Sequence, residues 1–186
     1  MTNSQSEGNP KDWPKILRTI APHARSEIVD GLSQAMPTVI KRAGLTTPLR
    51  LAHFLAQTAE ESAEFRALRE YGDGREYEHR RDLGNVKIGD GPRFKGRGLI
   101  QITGRGNYAA ASKFFAVDFI AHPELFEVFP YAALSAAFFW GTHELNALAD
   151  ADDVHGITRR INGGLNGIEA RIRYLRSAKA ALGVSK

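Results

Sequence analysis

The chain has 186 residues, 42% hydrophobic and 25% charged, with a formal net charge of +4, the size and composition of one globular domain with room for a proper core. It has no cysteine, which excludes disulfides, thiolate metal sites and thiol nucleophiles together. No run of about 18 apolar residues is present, so no membrane-spanning helix is expected, and the mild positive charge favours an anionic partner without choosing between a wall polymer and nucleic acid.

Residues 1 to about 11 read as a disordered polar tail, and 12–186 as a single domain. The opening MTNSQSEGNPKDW lacks a basic n-region and an apolar h-region, so no Sec signal peptide is expected. Asp12 is placed to cap a short helix with Pro14 in its first turn and Ile16, Leu17 and Ile20 on its apolar side. A second helix starts near Ser26 and closes at Gly44, with Pro37 expected to kink or split it. Thr46 or Thr47 followed by Pro48 supplies an N-cap and a proline at N1 for a third helix, expected to run from Leu49 to about Glu70.

On that third helix Leu51, Phe54, Thr58, Glu61, Phe65 and Leu68 follow a 3-4-3-4-3 spacing, one helical stripe. A carboxylate, Glu61, therefore falls on the face to be buried. Desolvation raises a carboxyl pKa towards the range of a general acid; the alternative is that an arginine ties Glu61 in a structural ion pair. Glu60 and Glu64 read as solvated surface charge on another face. Glu70, nine positions on, is a second carboxylate that could act across a cleft from Glu61 as a general base.

From Gly72 to Gly98 the chain carries seven glycines among dense charge. A loop of this length in one domain marks the rim of a site. Neither G-x-G-x-x-G nor GxxxxGK[ST] occurs in the right context, so nucleotide binding is rejected. Phe94–Thr103 alternates as a short strand or hairpin would. Helices follow at about 107–115, 131–148, 152–161 and 167–182; the second, AALSAAFFWGTHELNAL, is apolar nearly all round and is the expected core helix. The six histidines show no HExxH or other ligand spacing, so no metal is expected.

FLAQTAEESAEF, RRDLGN, GDGPRFKGRGLIQITGRGNY, LNALAD and ITRRINGGLNG, in this order and spacing, resemble glycoside hydrolase family 19, the chitinase family of the lysozyme-like superfamily, in its phage endolysin and bacterial branch. The resemblance covers about residues 45–182. It implies a mainly α, lysozyme-like α+β fold with a small β-hairpin or sheet beside the cleft, and an enzyme without cofactor. It assigns Glu61 as general acid, Glu70 as the base that activates water, and Thr103 as the residue holding that water. Gln101, Asn107, Asn162 and Arg171 would bind substrate, with Tyr71 and Tyr77 the only sugar-stacking candidates in the loop. Two positions depart from the branch pattern: Glu60 stands where a histidine is expected and His79 where a glycine is.

The expected activity is inverting hydrolysis of a β-1,4-linked amino-sugar backbone by a monomer that binds neither nucleic acid nor membrane stably. Eight cations, Arg75, Arg80, Arg81, Lys87, Arg93, Lys95, Arg97 and Arg105, suit the carboxylates of peptidoglycan stems better than uncharged chitin, although they could instead pair with Asp73, Glu76, Glu78, Asp82 and Asp90. Release to the wall through a holin or a secretion machine goes with this reading. Chitin hydrolysis, lytic transglycosylation and binding without cleavage are the alternatives.

Overall fold

A computed structural model describes residues 11–184; apart from Lys11, the expected polar tail lies outside the described residues. Helix α1 (Trp13–Ile20) begins where Asp12 Oδ1 accepts the Lys15 N–H at 3.1 Å, and it buries Ile16, Leu17 and Ile20. Helix α2 (Ser26–Ala43) ends on Gly44 at φ 63°, where only glycine is free of a Cβ penalty. Pro37 does not split α2. The helix loses one backbone bond there, but Leu32, Met36, Val39 and Ala43 are buried on either side of it, and their burial outweighs the break.

Helix α3 (Pro48–Glu61) is capped by Thr47, whose hydroxyl accepts the Arg50 N–H at 3.2 Å. It packs along the last helix, and a short α4 (Asp90–Arg93) lies in the glycine-rich loop. Then come α5 (Arg105–Phe115), α6 (Tyr131–Thr142), α7 (Leu145–Asp150), α8 (Val154–Asn162) and α9 (Ile168–Leu182). The helix expected over 131–148 is thus two helices. Glu144 turns left-handed at φ 54°, and Asn146 then accepts from Trp140 Nε1 and donates to the Ala43 carbonyl, both at 2.8 Å. These bonds tie the start of α7 to the end of α2, which a continued helix would not reach.

The fold is mainly α, as expected. The hairpin expected over 94–103 is reduced, among the described residues, to two isolated antiparallel bridges, Arg69 with Arg97 and Arg97 with Ile102. The segment's other backbone groups go elsewhere: Leu99 N–H donates to the Ala132 carbonyl of α6, and Gly104 N–H to that of Phe94. Two cores result. The larger joins α1, α2, α3, α6 and α9; the smaller stacks Phe94, Tyr108, Phe119 and Phe126 beneath the loop.

His53, fully buried on α3, sits with Nε2 2.7 Å from Asp152 Oδ1, while Lys179 Nζ donates to Asp152 Oδ2 at 2.5 Å. Burial pushes the imidazole below its usual value against the pull of Asp152. A folded-state pKa below the unfolded one means the unfolded chain binds the proton first, so stability is complete above about 6.5 and lost as pH falls through the folded value. The thermal midpoint should therefore drop between pH 7 and pH 5. His53→Gln, which keeps a donor towards Asp152 but cannot titrate, should flatten that curve over the same window.

Candidate active site

Glu61 is the last residue of α3, nine residues earlier than the expected end. The stop is built by Ser62, whose hydroxyl donates to the Thr58 carbonyl at 2.6 Å and accepts the Phe65 N–H at 3.1 Å. Ala63, Glu64 and Phe65 then all adopt positive φ, at 50°, 63° and 55°. Each costs about 1–2 kcal/mol in a left-handed conformation, so the turn persists only because its surroundings fix it. Phe65 is fully buried, its carbonyl accepts the Arg25 N–H at 3.2 Å, and the Glu64 carboxylate is held by Tyr174 hydroxyl at 2.9 Å and His23 Nδ1 at 3.0 Å. Glu64 is therefore a structural anchor and not solvated surface charge.

The break decides where Glu70 goes. On a continuous helix nine residues advance about 13–14 Å and about two and a half turns, so Glu61 and Glu70 would lie on opposite faces. Instead the chain reverses and runs back beside residues 96–98, with Glu70 N–H donating to the Gly96 carbonyl at 3.1 Å and Gly98 N–H to that of Leu68 at 2.9 Å.

Glu61 carries the arginine tie that the sequence offered as an alternative. It lies at the rim of the core with its side chain 19% exposed, and Arg171 Nη2 donates to its Oε1 at 2.5 Å. Arg171 itself is 3% exposed. Its Nη1 donates to the Gln57 side-chain oxygen and its Nε to the Asn166 carbonyl at 3.3 Å. Gln57, fully buried one turn before Glu61, also donates to Thr158 of α8 at 3.4 Å. Asn162 reaches this cluster only indirectly: its amide donates to the Asn166 carbonyl at 3.0 Å and its oxygen accepts the Gly164 N–H at 2.9 Å. It shapes the loop that holds Arg171. Glu60 is half-buried against this loop, where a Cβ on Gly167 would lie 2.1 Å from its Oε1, and burial pushes its carboxyl up against the pull of Arg171.

Glu70 forms a second cluster. Tyr77 hydroxyl donates to its Oε2 at 2.9 Å, whereas its Oε1 is buried without a hydrogen-bond partner among the described residues. Burial first, and the bond to Glu70 second, push the Tyr77 hydroxyl up to about 12, so it stays a donor. Gln101 is close by: a Cβ on Gly96 would lie 2.8 Å from Gln101 Oε1 and 3.2 Å from Glu70 Oε2, so only glycine fits between them. Sequence reasoning took Tyr77 for a stacking residue. Its partnership with Glu70 depends on how the loop folds, and no local pattern announces it.

The loop is folded throughout. Asn85, fully buried, donates to the Tyr77 carbonyl at 2.9 Å and accepts the Arg105 N–H at 2.8 Å. Arg105 grips Asp90 with two bonds of 2.9 and 2.5 Å and holds that carboxyl down at about 2. His79, where a glycine was expected, takes φ 58°, the conformation a glycine would adopt without strain. Four of the eight loop cations carry a carboxylate: Arg75 with Asp73, Arg80 with Asp82, Arg97 with Glu127 and Arg105 with Asp90.

The remaining candidates form a third group. Thr103 hydroxyl donates to the Gln101 carbonyl at 3.2 Å, Asn107 donates to the Thr103 carbonyl at 2.7 Å, and all three residues line one cavity. Tyr71 is 88% exposed and lines a different cavity, which it shares with Glu70, Arg69, Lys95 and Glu127 and not with Gln101, Thr103 or Asn107. Among the described residues no group of histidines and carboxylates could hold a metal.

Solved chitinase structures share this mainly helical fold. Chitinase C from Streptomyces griseus superposes with a TM-score of 0.75 over 96% of each chain at 20% identity. A family 19 class IV chitinase from Zea mays gives 0.68 over 96% of this chain and 94% of its own, also at 20%. In sequence, a glycosyl hydrolase family 19 domain-containing protein of Haemophilus influenzae is 34% identical over 189 residues, covering 85% of this chain and 90% of the relative. Two endochitinases of Arabidopsis thaliana are 30% and 31% identical over 76% of this chain, which spans about half, 51%, of their length. No family profile matches the chain. The chain belongs to glycoside hydrolase family 19, and its reaction class is glycoside hydrolysis.

The Arg171–Glu61 tie makes a stability prediction. Breaking a fully buried pair costs about 3–5 kcal/mol; because Glu61 reaches solvent, Arg171→Met should cost less, about 2–3 kcal/mol, by denaturant unfolding. The double variant Arg171→Met/Glu61→Gln should recover part of that loss.

Proposed function

We propose that the chain hydrolyses the β-1,4-linked amino-sugar backbone of bacterial peptidoglycan by an inverting mechanism, with Glu61 as acid and Glu70 as base. The observation that carries the mechanism is the buried, unpartnered Oε1 of Glu70. A buried carboxylate oxygen without a protein donor is costly, and a water donating to it offsets that cost while lying where a base needs it. Tyr77, bonded to the other oxygen, fixes the carboxylate so that Oε1 alone faces the water.

In the reaction protonated Glu61 gives its proton to the leaving glycosidic oxygen as the C1–O bond breaks. Glu70 takes a proton from the water whose oxygen bonds to C1 on the opposite face, an arrangement that requires about 6.5–9.5 Å between carboxyl groups. Arg171, already donating to Glu61, stabilises the carboxylate left after proton transfer. Thr103 holds that water, and Gln101 and Asn107 bind sugar hydroxyl and acetamido groups.

Peptidoglycan is favoured over chitin by charge. Arg81, Lys87, Arg93 and Lys95 carry no carboxylate partner among the described residues, and Lys95 and Arg93 donate only to backbone carbonyls. The margin is narrower than eight loop cations suggested, since four are paired. Chitin hydrolysis is the second reading, favoured by the endochitinase relatives.

Turnover of purified peptidoglycan and of colloidal chitin at low and high salt separates the two. Peptidoglycan should be cleaved faster, with a rate that falls as salt screens the cations; faster cleavage of chitin overturns the substrate assignment. Glu61→Gln and Glu70→Gln should each lower turnover by about 10²–10⁴. An active Glu70→Gln would instead indicate a transglycosylase. NMR of the first product should show the α anomer.

Tyr77→Phe keeps the ring but leaves Glu70 Oε2 without its donor. It should lower kcat by about tenfold, the worth of one hydrogen bond to a charged group, with little change in KM.

A further inference from the structure

The left-handed turn at 63–65 does more than return Glu70 to the side of Gly96. It also sets the segment after it against the start of α2, where Arg25 N–H donates to the Phe65 carbonyl at 3.2 Å, and a cavity of about 480 Å3 opens there. Glu70 and Tyr71 line it, together with four cations, Arg25, Arg66, Arg69 and Lys95. Of these, Lys95 alone belongs to the glycine-rich loop. Arg25 is paired with Glu27. The other three keep donors to spare among the described residues. Arg66 Nε donates to the Ala63 carbonyl and Lys95 Nζ to that of Gly72, each at 2.8 Å and each a neutral acceptor. Arg69 Nη1 stands 3.5 Å from Glu127 Oε2, too far for a good hydrogen bond, while Glu127 is held at 2.6 Å by Arg97. Three cations without a close carboxylate thus border a cavity that the base of the reaction also borders.

We propose that this cavity is an anion site for the peptide stem of the wall polymer, taking the stem carboxylates of a muramoyl residue whose sugar lies at Glu70. The site rests on the peptidoglycan reading and adds to it the place where the stem lies. A stem hangs from the sugar through a lactyl ether and carries free carboxylates along a short peptide, so a sugar held at Glu70 brings them to the residues that share its cavity. Guanidinium groups suit such partners, since two parallel N–H donors match the two oxygens of a carboxylate. Ile28, Ala67 and Leu68 line the same cavity and offer apolar surface to the alanyl methyl groups of the stem. The volume falls within the range of small-ligand clefts, about 300–1,000 Å3. Glu70 must stay ionised to act as a base and would repel an incoming anion; the cations beside it offset that repulsion. Chitin has no stem and no carboxylate to place here, so the site discriminates between two polymers that the catalytic carboxylates treat alike.

The test uses Glu61→Gln protein as the parent, so that ligand is bound but not cut. It is titrated calorimetrically with a stem-bearing peptidoglycan fragment and with the N-acetylglucosamine hexamer, which has the same backbone without stems. At low salt the parent should bind the fragment more tightly, and high salt should erase the difference. Adding Arg66→Gln and Arg69→Gln together should weaken the fragment by about tenfold, about threefold for each exposed ion pair, and leave the hexamer unchanged. Arg66 bonds to the turn at Ala63, so thermal midpoints check that the double variant is folded. Arg69→Gln alone, which removes no hydrogen bond seen among the described residues, should cost about threefold and covers the case in which the double variant does not fold. Unchanged affinity for the fragment in folded variants, or an equal loss on both ligands, overturns the stem site alone. A parent that binds the hexamer as tightly as the fragment overturns the peptidoglycan reading and the site with it, and one that binds neither overturns the hydrolase reading as well.

Discussion

Arg171 is the residue on which the site's geometry depends. It is almost wholly buried, yet each edge of its guanidinium has a partner: Glu61 at the end of α3, Gln57 one turn earlier, and the Asn166 carbonyl in the loop before α9. A buried guanidinium is tolerable only when its donors are satisfied. Satisfying these three fixes α9 against α3 and draws in the loop that Asn162 organises. The helix pair in closest association, α3 with α9, is thus locked in register by a polar tie at one end as well as by apolar packing along its length. Glu61 is held in one orientation as a consequence.

The second carboxylate is fixed by a different device. The left-handed turn at Ala63–Phe65 is locally unfavourable, and it survives because Phe65 enters the core and Glu64 is clamped between His23 and Tyr174. Reversal there lets the chain return beside Gly96, where Tyr77 meets Glu70. Tyr77 is in turn held by a chain of bonds through Asn85 to Arg105 and Asp90. Part of the loop's charge, which looks like the composition of a mobile excursion, goes into this scaffold. Three left-handed residues and several buried polar groups lie in the segments that carry the two carboxylates.

Membership of family 19 explains why a chain only 20% identical to Streptomyces griseus chitinase C keeps its fold over 96% of its length. The frame is set by the two cores; polar detail differs on top of it. Glu60, half-buried against Gly167, and His79, left-handed where glycine would sit without strain, are places where this chain carries its own solution. The pairing of four loop cations with carboxylates shows how far a count of charges overstates an electropositive surface, because a cation beside an acid contributes little field beyond the pair.

The sequence by itself determined the helices with clear periodicity and caps: Asp12, Thr47 and Gly44 mark ends that the structure keeps, because capping is a matter of a few neighbouring residues. The stripe through Leu51, Phe54 and Thr58 also sufficed to single out Glu61, and the long motifs were enough to indicate the family. What only the tertiary structure decided depended on distant partners. The end of α3 at Glu61, the split after Thr142, the loss of a hairpin over 94–103, the tie of Arg171 to Glu61 and the hold of Tyr77 on Glu70 each involve residues brought together from separate segments. Tyr71, equally aromatic and adjacent to Glu70, ends exposed on a cavity that Glu70 also lines, while Tyr77 takes the hydrogen bond. A left-handed turn carries no local signature when alanine, glutamate and phenylalanine form it, since its stability resides in contacts with His23, Arg25 and Tyr174 that periodicity and propensity do not encode.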